Sequence, residues 1–219
     1  MILPVLEREK VNLDLPIFTL DVNLVALREP SEWPSEMRGL APLEWNYFEA
    51  GAIELCVTPV TAFEITKGQS LQALPYTAYQ RLKKTEFLKA RPPGTTLALS
   101  EHQSNILWGG IRDILWPGIA EDQLTVTQRA DVTQLYFHSI SSGSTCSNSA
   151  YLTRDQNYFK KRRDIATELG VTILNTNEAW EEYSHRYSLY QPTVQEIAYV
   201  HHQQQYYLQQ LSTRSSAGL

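Results

Sequence analysis

The sequence predicts an α/β fold with a parallel sheet, and three observations predict it. Short apolar runs of strand length alternate with segments of helical spacing. The first run, Ile17 to Leu20, is nearly continuous in apolar character, as a strand covered on both faces requires. The same strand–helix order returns after residue 150, once a less regular middle has passed.

The elements follow in order. Strand Ile17–Leu20 ends in Asp21, and Leu24, Val25 and Leu27 open a helical segment behind it. Residues 30–42 carry Pro30, Pro34, Gly39 and Pro42 and read as a loop. A helix over Leu43–Ala50 closes at Gly51, where a left-handed cap belongs. Ile53–Val57 is the second strand, broken by Thr58-Pro59, with a helix starting near Thr61. Residues 76–90 read as helix and stop at Arg91-Pro92-Pro93-Gly94. Ser100 and Gln103 form a capping box ahead of another helix, which ends at Pro117-Gly118. The next helix spans about Asp122 to Ser142, and residues 141–149 are a small-residue loop. Ala150–Thr153 is a strand, 156–169 a helix capped by Gly170, Val171–Leu174 a strand, and 177–189 a short helix. Residues 191–219, rich in Gln, Ser and Tyr, read as a polar tail with a peripheral helix and a frayed end.

Composition bounds the function. The chain has 219 residues, is 42% apolar and 20% charged, and carries a net charge of −5. That supports a packed core and argues against a whole-surface basic field, so any nucleic-acid contact is local. Cys56 and Cys146 have no disulfide or zinc-ligand spacing. No stretch approaches the length of a membrane span, and charges at positions 7–10 interrupt any signal-type apolar run. The expectation is a soluble cytoplasmic protein.

The carboxylates fall where a parallel sheet builds sites. Asp21 ends one strand, Asp155 follows another by way of Thr153, and Glu64 lies one turn into the helix after the second strand. Strand C-terminal ends share one rim, and sites form there where the strand order reverses. Asp131, near the start of the amphipathic part of its helix, is the fourth candidate. Carboxylates gathered in one place repel each other, and a divalent cation removes the conflict. All-oxygen ligation suits Mg²⁺ or Mn²⁺, and the implied chemistry is metal-assisted phosphodiester hydrolysis. Each acid also has a structural role open to it. Thr61-Ala62-Phe63-Glu64 spells a capping box, Asp155 and Asp21 precede helices they can cap, and Asp131 can be a solvated helix acid. Glu101, Asp113, Glu121 and Asp122 are rivals to Asp131.

Four blocks resemble the PIN domain, a family of metal-dependent nucleases. They are FTLDVNLVAL (18–27), GAIELCVTPVTAFEI (51–65), DVTQLYFHSISSG (131–143) and AYLTRDQNYFKKRRDIATELGVTIL (150–174), and from the first to the last the resemblance spans roughly two thirds of the chain. The resemblance implies a three-layer α/β/α sandwich over residues 1–190, with about 68–122 as a helical insertion. It implies that Asp21, Glu64, Asp131 and Asp155 hold Mg²⁺ or Mn²⁺, with Asn23 and Thr153 as supporting polar residues. It further implies a ribonuclease acting on single-stranded RNA. Arg154, Lys160, Lys161, Arg162 and Arg163 are then placed to hold the RNA backbone, against the plainer reading of a solvated helix face. Arg81, Lys83, Lys84, Lys89 and Arg91 form a second basic group. His138 shares a helix face with Asp131 and reads as a satisfied, partly buried histidine. Two other readings stay open: a PIN-fold binding or scaffold protein with weak or no activity, and a toxin-type ribonuclease controlled by an antitoxin. Tyr206, Tyr207 and Leu208 suit docking of the tail on the domain or on a second subunit, which leaves a homodimer open.

Overall fold

Four strands form one parallel sheet in a computed structural model that describes residues 15–25, 38–66, 99–142 and 148–199. They are β1 (Ile17–Leu20), β2 (Glu54–Cys56), β3 (Ser149–Leu152) and β4 (Ile173–Leu174). The order is β2-β1-β3-β4, with Ile17 opposite both Glu54 and Ser149 and Tyr151 opposite Ile173. From β1 the chain moves outward to β2, then crosses back to add β3 and β4 on the other side. The order therefore reverses between β1 and β3, and the C-terminal ends of those two strands are where a parallel sheet ordinarily places a site.

The helices are α1 (Val22–Val25), α2 (Leu40–Trp45), α3 (Pro59–Thr66), α4 (Glu101–Leu115), α5 (Val126–Ser142), α6 (Gln156–Leu169) and α7 (Thr176–Arg186). A final helix, α8, covers 194–199. They divide between the two sheet faces because strand side chains alternate. Phe18, Leu20, Ala150 and Leu152 point into one core, shared with Leu40 and Leu43 of α2 and Ala179 and Tyr183 of α7. Tyr151 and Ile173 point the other way, into a core shared with Ile111 and Leu115 of α4, Val132 and Leu135 of α5, and Tyr158 and Ile165 of α6. Two cores on two faces make the architecture an α/β sandwich of three layers. Helix α4, which falls in the segment read as an insertion, thus contributes directly to the second core.

The element boundaries correct four readings, each for an identifiable reason. The helix placed at Leu43–Ala50 begins at Leu40, so residues 40–42 are helix and not loop. Pro42 is tolerated there because the first-turn N–H groups have no intrahelical partner to lose. The chain continues as a π-helical turn, Asn46–Ala50, to Gly51, which takes the left-handed cap conformation at φ 59°. Helix α3 starts at Pro59 rather than near Thr61, and its cap is Thr58, whose hydroxyl accepts from Thr61 N at 3.2 Å. Proline is favoured at the first helical position. The long helix read from Asp122 is broken into a 3₁₀ turn (Glu121–Gln123) and α5, because Thr125 and Gln128 form a reciprocal capping box. Helix α7 spans Thr176–Arg186, shorter than 177–189 at its end, with Asn175 and Glu178 as its capping box. Helix 156–169 and its Gly170 cap match the sequence reading, as does the Ser100–Gln103 box of α4. Trp45 packs on Tyr190, ring centroids 4.6 Å apart. Helix 76–90, the second basic group and the end of the tail lie outside the described residues. Among the described residues no helix is long and apolar enough to cross a membrane.

One glycine fixes how α2 meets α7. Gly39 has an ordinary helical φ of −64°, so its backbone needs no special freedom. A Cβ there would lie 2.2 Å from the Thr176 carbonyl oxygen, and Gly39 N donates to Asn177 Oδ1 at 2.7 Å. Gly39→Ala must push the two helix starts apart and is expected to cost about 1–3 kcal/mol, measured as a lower urea midpoint with unchanged slope.

Candidate functional site

The C-terminal ends of β1 and β3 carry two of the acids, Asp21 and Asp155. Thr19 and Asp21 lie on one face of β1 and its extension, and Tyr151 and Thr153 on the same face of β3. The apolar runs of both strands bury this face, so Asp21 is 3% exposed and Thr153 is 0% exposed. Asp21 Oδ1 accepts from Val22 N at 2.6 Å, and Oδ2 accepts from Asn23 Nδ2 at 2.7 Å and Thr153 Oγ1 at 2.5 Å. The Thr153 hydroxyl also accepts from Asp155 N at 3.0 Å, and Arg154 N donates to Asn23 Oδ1 at 3.3 Å. Asn23 and Thr153 therefore join the ends of β1 and β3 and set the direction of the Asp21 carboxyl.

Asp155 occupies the N-cap of α6, where its Oδ1 accepts from Asn157 N at 2.8 Å. The capping role is real, and it also holds the carboxyl at the rim beside Asp21. Glu64 does not cap α3, because Thr58 does, and it lies three residues beyond the capped Thr61. Its Oε2 instead accepts from Gln134 Nε2 at 2.5 Å. Asp131, one turn before Gln134 on α5, is half-buried, and its backbone carbonyl accepts from Tyr158 Oη at 3.0 Å.

The electrostatics link all four acids. Burial pushes the Asp21 carboxyl up to about 6, with the Asp155 charge adding to the rise and the bonds from Thr153 and Val22 opposing it. Burial pushes Asp131 up to about 8, and the charges of Asp21, Asp155 and Glu64 all add to that rise. Among the described residues, the charges that raise these two are carboxylates. Among the described residues no lysine or arginine is paired with Asp21, Asp131 or Asp155. The rivals are elsewhere: Asp113 and Glu121 sit in exposed pairs with Arg112 and Arg129, and Glu101 and Asp122 are exposed. Among the described residues no three His, Cys, Asp or Glu side chains are grouped closely enough to hold a metal ion as they stand.

Several residues of this region escaped the sequence reading. Gln134, Tyr151 and Tyr158 form a buried polar layer under the acids, with the two phenol rings 5.3 Å apart. Burial, with Asp21 adding, holds both phenols well above their ordinary pKa. Spacing sets them near the acids, Gln134 three residues after Asp131 on a helix and Tyr151 two before Thr153 on a strand, but says nothing of their burial. His138 is fully buried with Nδ1 2.7 Å from Thr19 Oγ1, and burial lowers its pKa to about 3, so the ring is neutral.

The basic residues lie on α6 and just before it. Arg154, Lys160, Arg162 and Arg163 are exposed and Lys161 is half-buried. Arg162 pairs with Glu178 of α7 at 3.3 Å, which partly commits it to the helix contact. Compared with known proteins, the sequence matches no family model and no curated relative.

Proposed function

We propose that the protein is a PIN-like, Mg²⁺- or Mn²⁺-dependent ribonuclease acting on single-stranded RNA. The observation that carries this reading is the charge of Asp21, Asp155 and Glu64 acting on Asp131, and of Asp155 acting on Asp21, at the strand switch, with no lysine or arginine paired with Asp21, Asp131 or Asp155 among the described residues. The donor set fits a hard divalent cation, since oxygen ligands and excess negative charge are what Mg²⁺ and Mn²⁺ take. A cation bound there supplies a water of lowered pKa and charge to stabilise the attacking and leaving oxygens of a phosphodiester.

The chain's own residues supply the rest. Asp21, Glu64 and Asp155 are the ligands, and Asp131 completes a second position. Thr153 and Asn23 hold the Asp21 carboxyl in place through the bonds described above. Arg154, Lys160, Lys161 and Arg163 offset the acidic rim and hold phosphates without reading bases, while Arg162 contributes from its pair with Glu178. The preference for RNA rests on the family resemblance. The proposed setting is a cytoplasmic protein.

A second reading is a PIN-fold binding module without catalysis. It is favoured by the engagement of both Asp21 oxygens in internal hydrogen bonds and by the absence, among the described residues, of three acidic, His or Cys side chains grouped closely enough to hold a metal ion. Metal titration separates the two. Millimolar Mn²⁺ raises the melting temperature of a metal-holding protein and permits cleavage of an unstructured RNA oligonucleotide. No shift and no cleavage in the unaltered protein would leave the binding module.

A further inference from the structure

Helix α3 carries Glu64 but is not part of the sheet, so something must fix this acid relative to Asp21 and Asp155. Among the described residues, Gln134 is a side chain placed at that junction. Gln134 of α5 is 0% exposed, and its Oε1 accepts from Tyr151 Oη of β3 at 2.9 Å and from Thr61 Oγ1 of α3 at 3.3 Å. Its Nε2 donates to Glu64 Oε2 at 2.5 Å. The amide orientation follows from the donor inventory: reversed, it would set a carbonyl oxygen against an ionised carboxylate. Thr61 is itself held, with Thr58 Oγ1 3.1 Å from its hydroxyl, so the amide is braced from α3 and from the sheet at once.

We propose that Gln134 is the positioning residue for Glu64, tying the α3 carboxylate to β3 and so to the acids at the strand switch. The proposal rests on the metal-site reading above and adds a residue outside the four-acid set. It takes its force from two features. The tie spans three elements with a single buried side chain, and Asp131, the acid influenced by the other three, sits one turn away on the same helix. Groups that orient a metal ligand characteristically change affinity when removed, although they never touch the ion.

The test is Mn²⁺ affinity of the purified full chain, read from the electron paramagnetic resonance signal of free Mn²⁺, at constant pH. Gln134→Met keeps length and volume and removes both hydrogen-bonding ends. Its Mn²⁺ dissociation constant is expected to rise about 10- to 100-fold. Thr61→Val removes one brace while leaving every acid untouched, and a rise of about fivefold is expected. The bound-Mn²⁺ spectrum should change in both, while circular dichroism stays that of the unaltered protein. A merely structural amide would lower the melting temperature and leave the dissociation constant of the folded protein alone, and that result overturns the proposal. If Gln134→Met fails to fold, Thr61→Val decides on the same criterion. Absence of Mn²⁺ binding by the unaltered protein overturns the metal-site reading itself, whereas normal binding by all three proteins overturns only the role of Gln134.

Discussion

Asp21→Asn is expected to abolish the Mn²⁺-induced rise in melting temperature and to lower RNA cleavage about 100- to 1000-fold, the loss typical of removing one preorganised charge from a catalytic site. The unaltered protein at a Mn²⁺ concentration a hundredfold above its dissociation constant gains about 2.7 kcal/mol, or roughly 5–10 °C for a chain of this size. The substitution is informative because its structural cost is small in either direction. Asparagine retains an oxygen for Val22 N, and it removes a buried charge that Asp155 repels. Against that, an amide NH₂ now meets the Asn23 Nδ2 donor at the position Oδ2 held. These effects oppose one another at about 1–2 kcal/mol each, so the metal-free protein melts close to its original temperature. Loss of the metal response with retained stability then assigns the charge of Asp21 to cation binding. A variant that still answers to Mn²⁺ would remove Asp21 from the ligand set and with it the ribonuclease reading.

The parts of this arrangement legible in the sequence are those fixed by short-range rules. Asp21 and Asp155 were visible because a buried strand that ends in a carboxylate is a local pattern, and the parallel order of the strands carries both to one rim. The helix after Asp155 was legible to the residue, since an aspartate cap and a closing glycine bound it. Glu64 was ambiguous because Thr61 and Glu64 satisfy the spacing of a capping box. The structure resolves it through Pro59, which sets the first helical position and hands the cap to Thr58. Asp131 among its rivals was not decidable by spacing. What singles it out is the packing of α5 beside the sheet and α3, a long-range event that no local window contains. The Gln134 network was missed for the same reason. A glutamine on a helix is ordinarily a solvent residue, and only the contact of α5 with both α3 and β3 buries this one.

The metal-free protein is expected to lose stability as the pH rises, opposite to a protein whose carboxylates sit in salt bridges. The sign follows from proton counting. Asp21 is raised from 3.8 to about 6 and Asp131 from 3.8 to about 8, so between those values the folded state binds more protons than the unfolded one. Stability therefore falls with pH through that interval. It is fully present below about 4, declines from there, declines more gently above about 6 once Asp21 is ionised in the folded state too, and levels off above about 8 when Asp131 has followed. The two elevations are not additive, since the Asp21 charge contributes to the rise of Asp131. A combined loss on the order of 3 kcal/mol between pH 5.5 and 8.5 follows from about 1.4 kcal/mol per unit of elevation, which lowers the melting temperature by roughly 10 °C. Asp131→Asn should flatten most of this slope, because an amide in its place cannot ionise and also spares Asp21 a neighbouring charge. Saturating Mn²⁺ should flatten it as well: a cation holds the acids ionised, so binding releases protons and grows tighter as the pH climbs. Thermal melts at three or four pH values, with chelator and with Mn²⁺, measure both slopes. A metal-free protein that grows more stable from pH 5.5 to 8.5 would mean that the four carboxylates are not crowded, and the site would lose the strain that a cation is there to relieve.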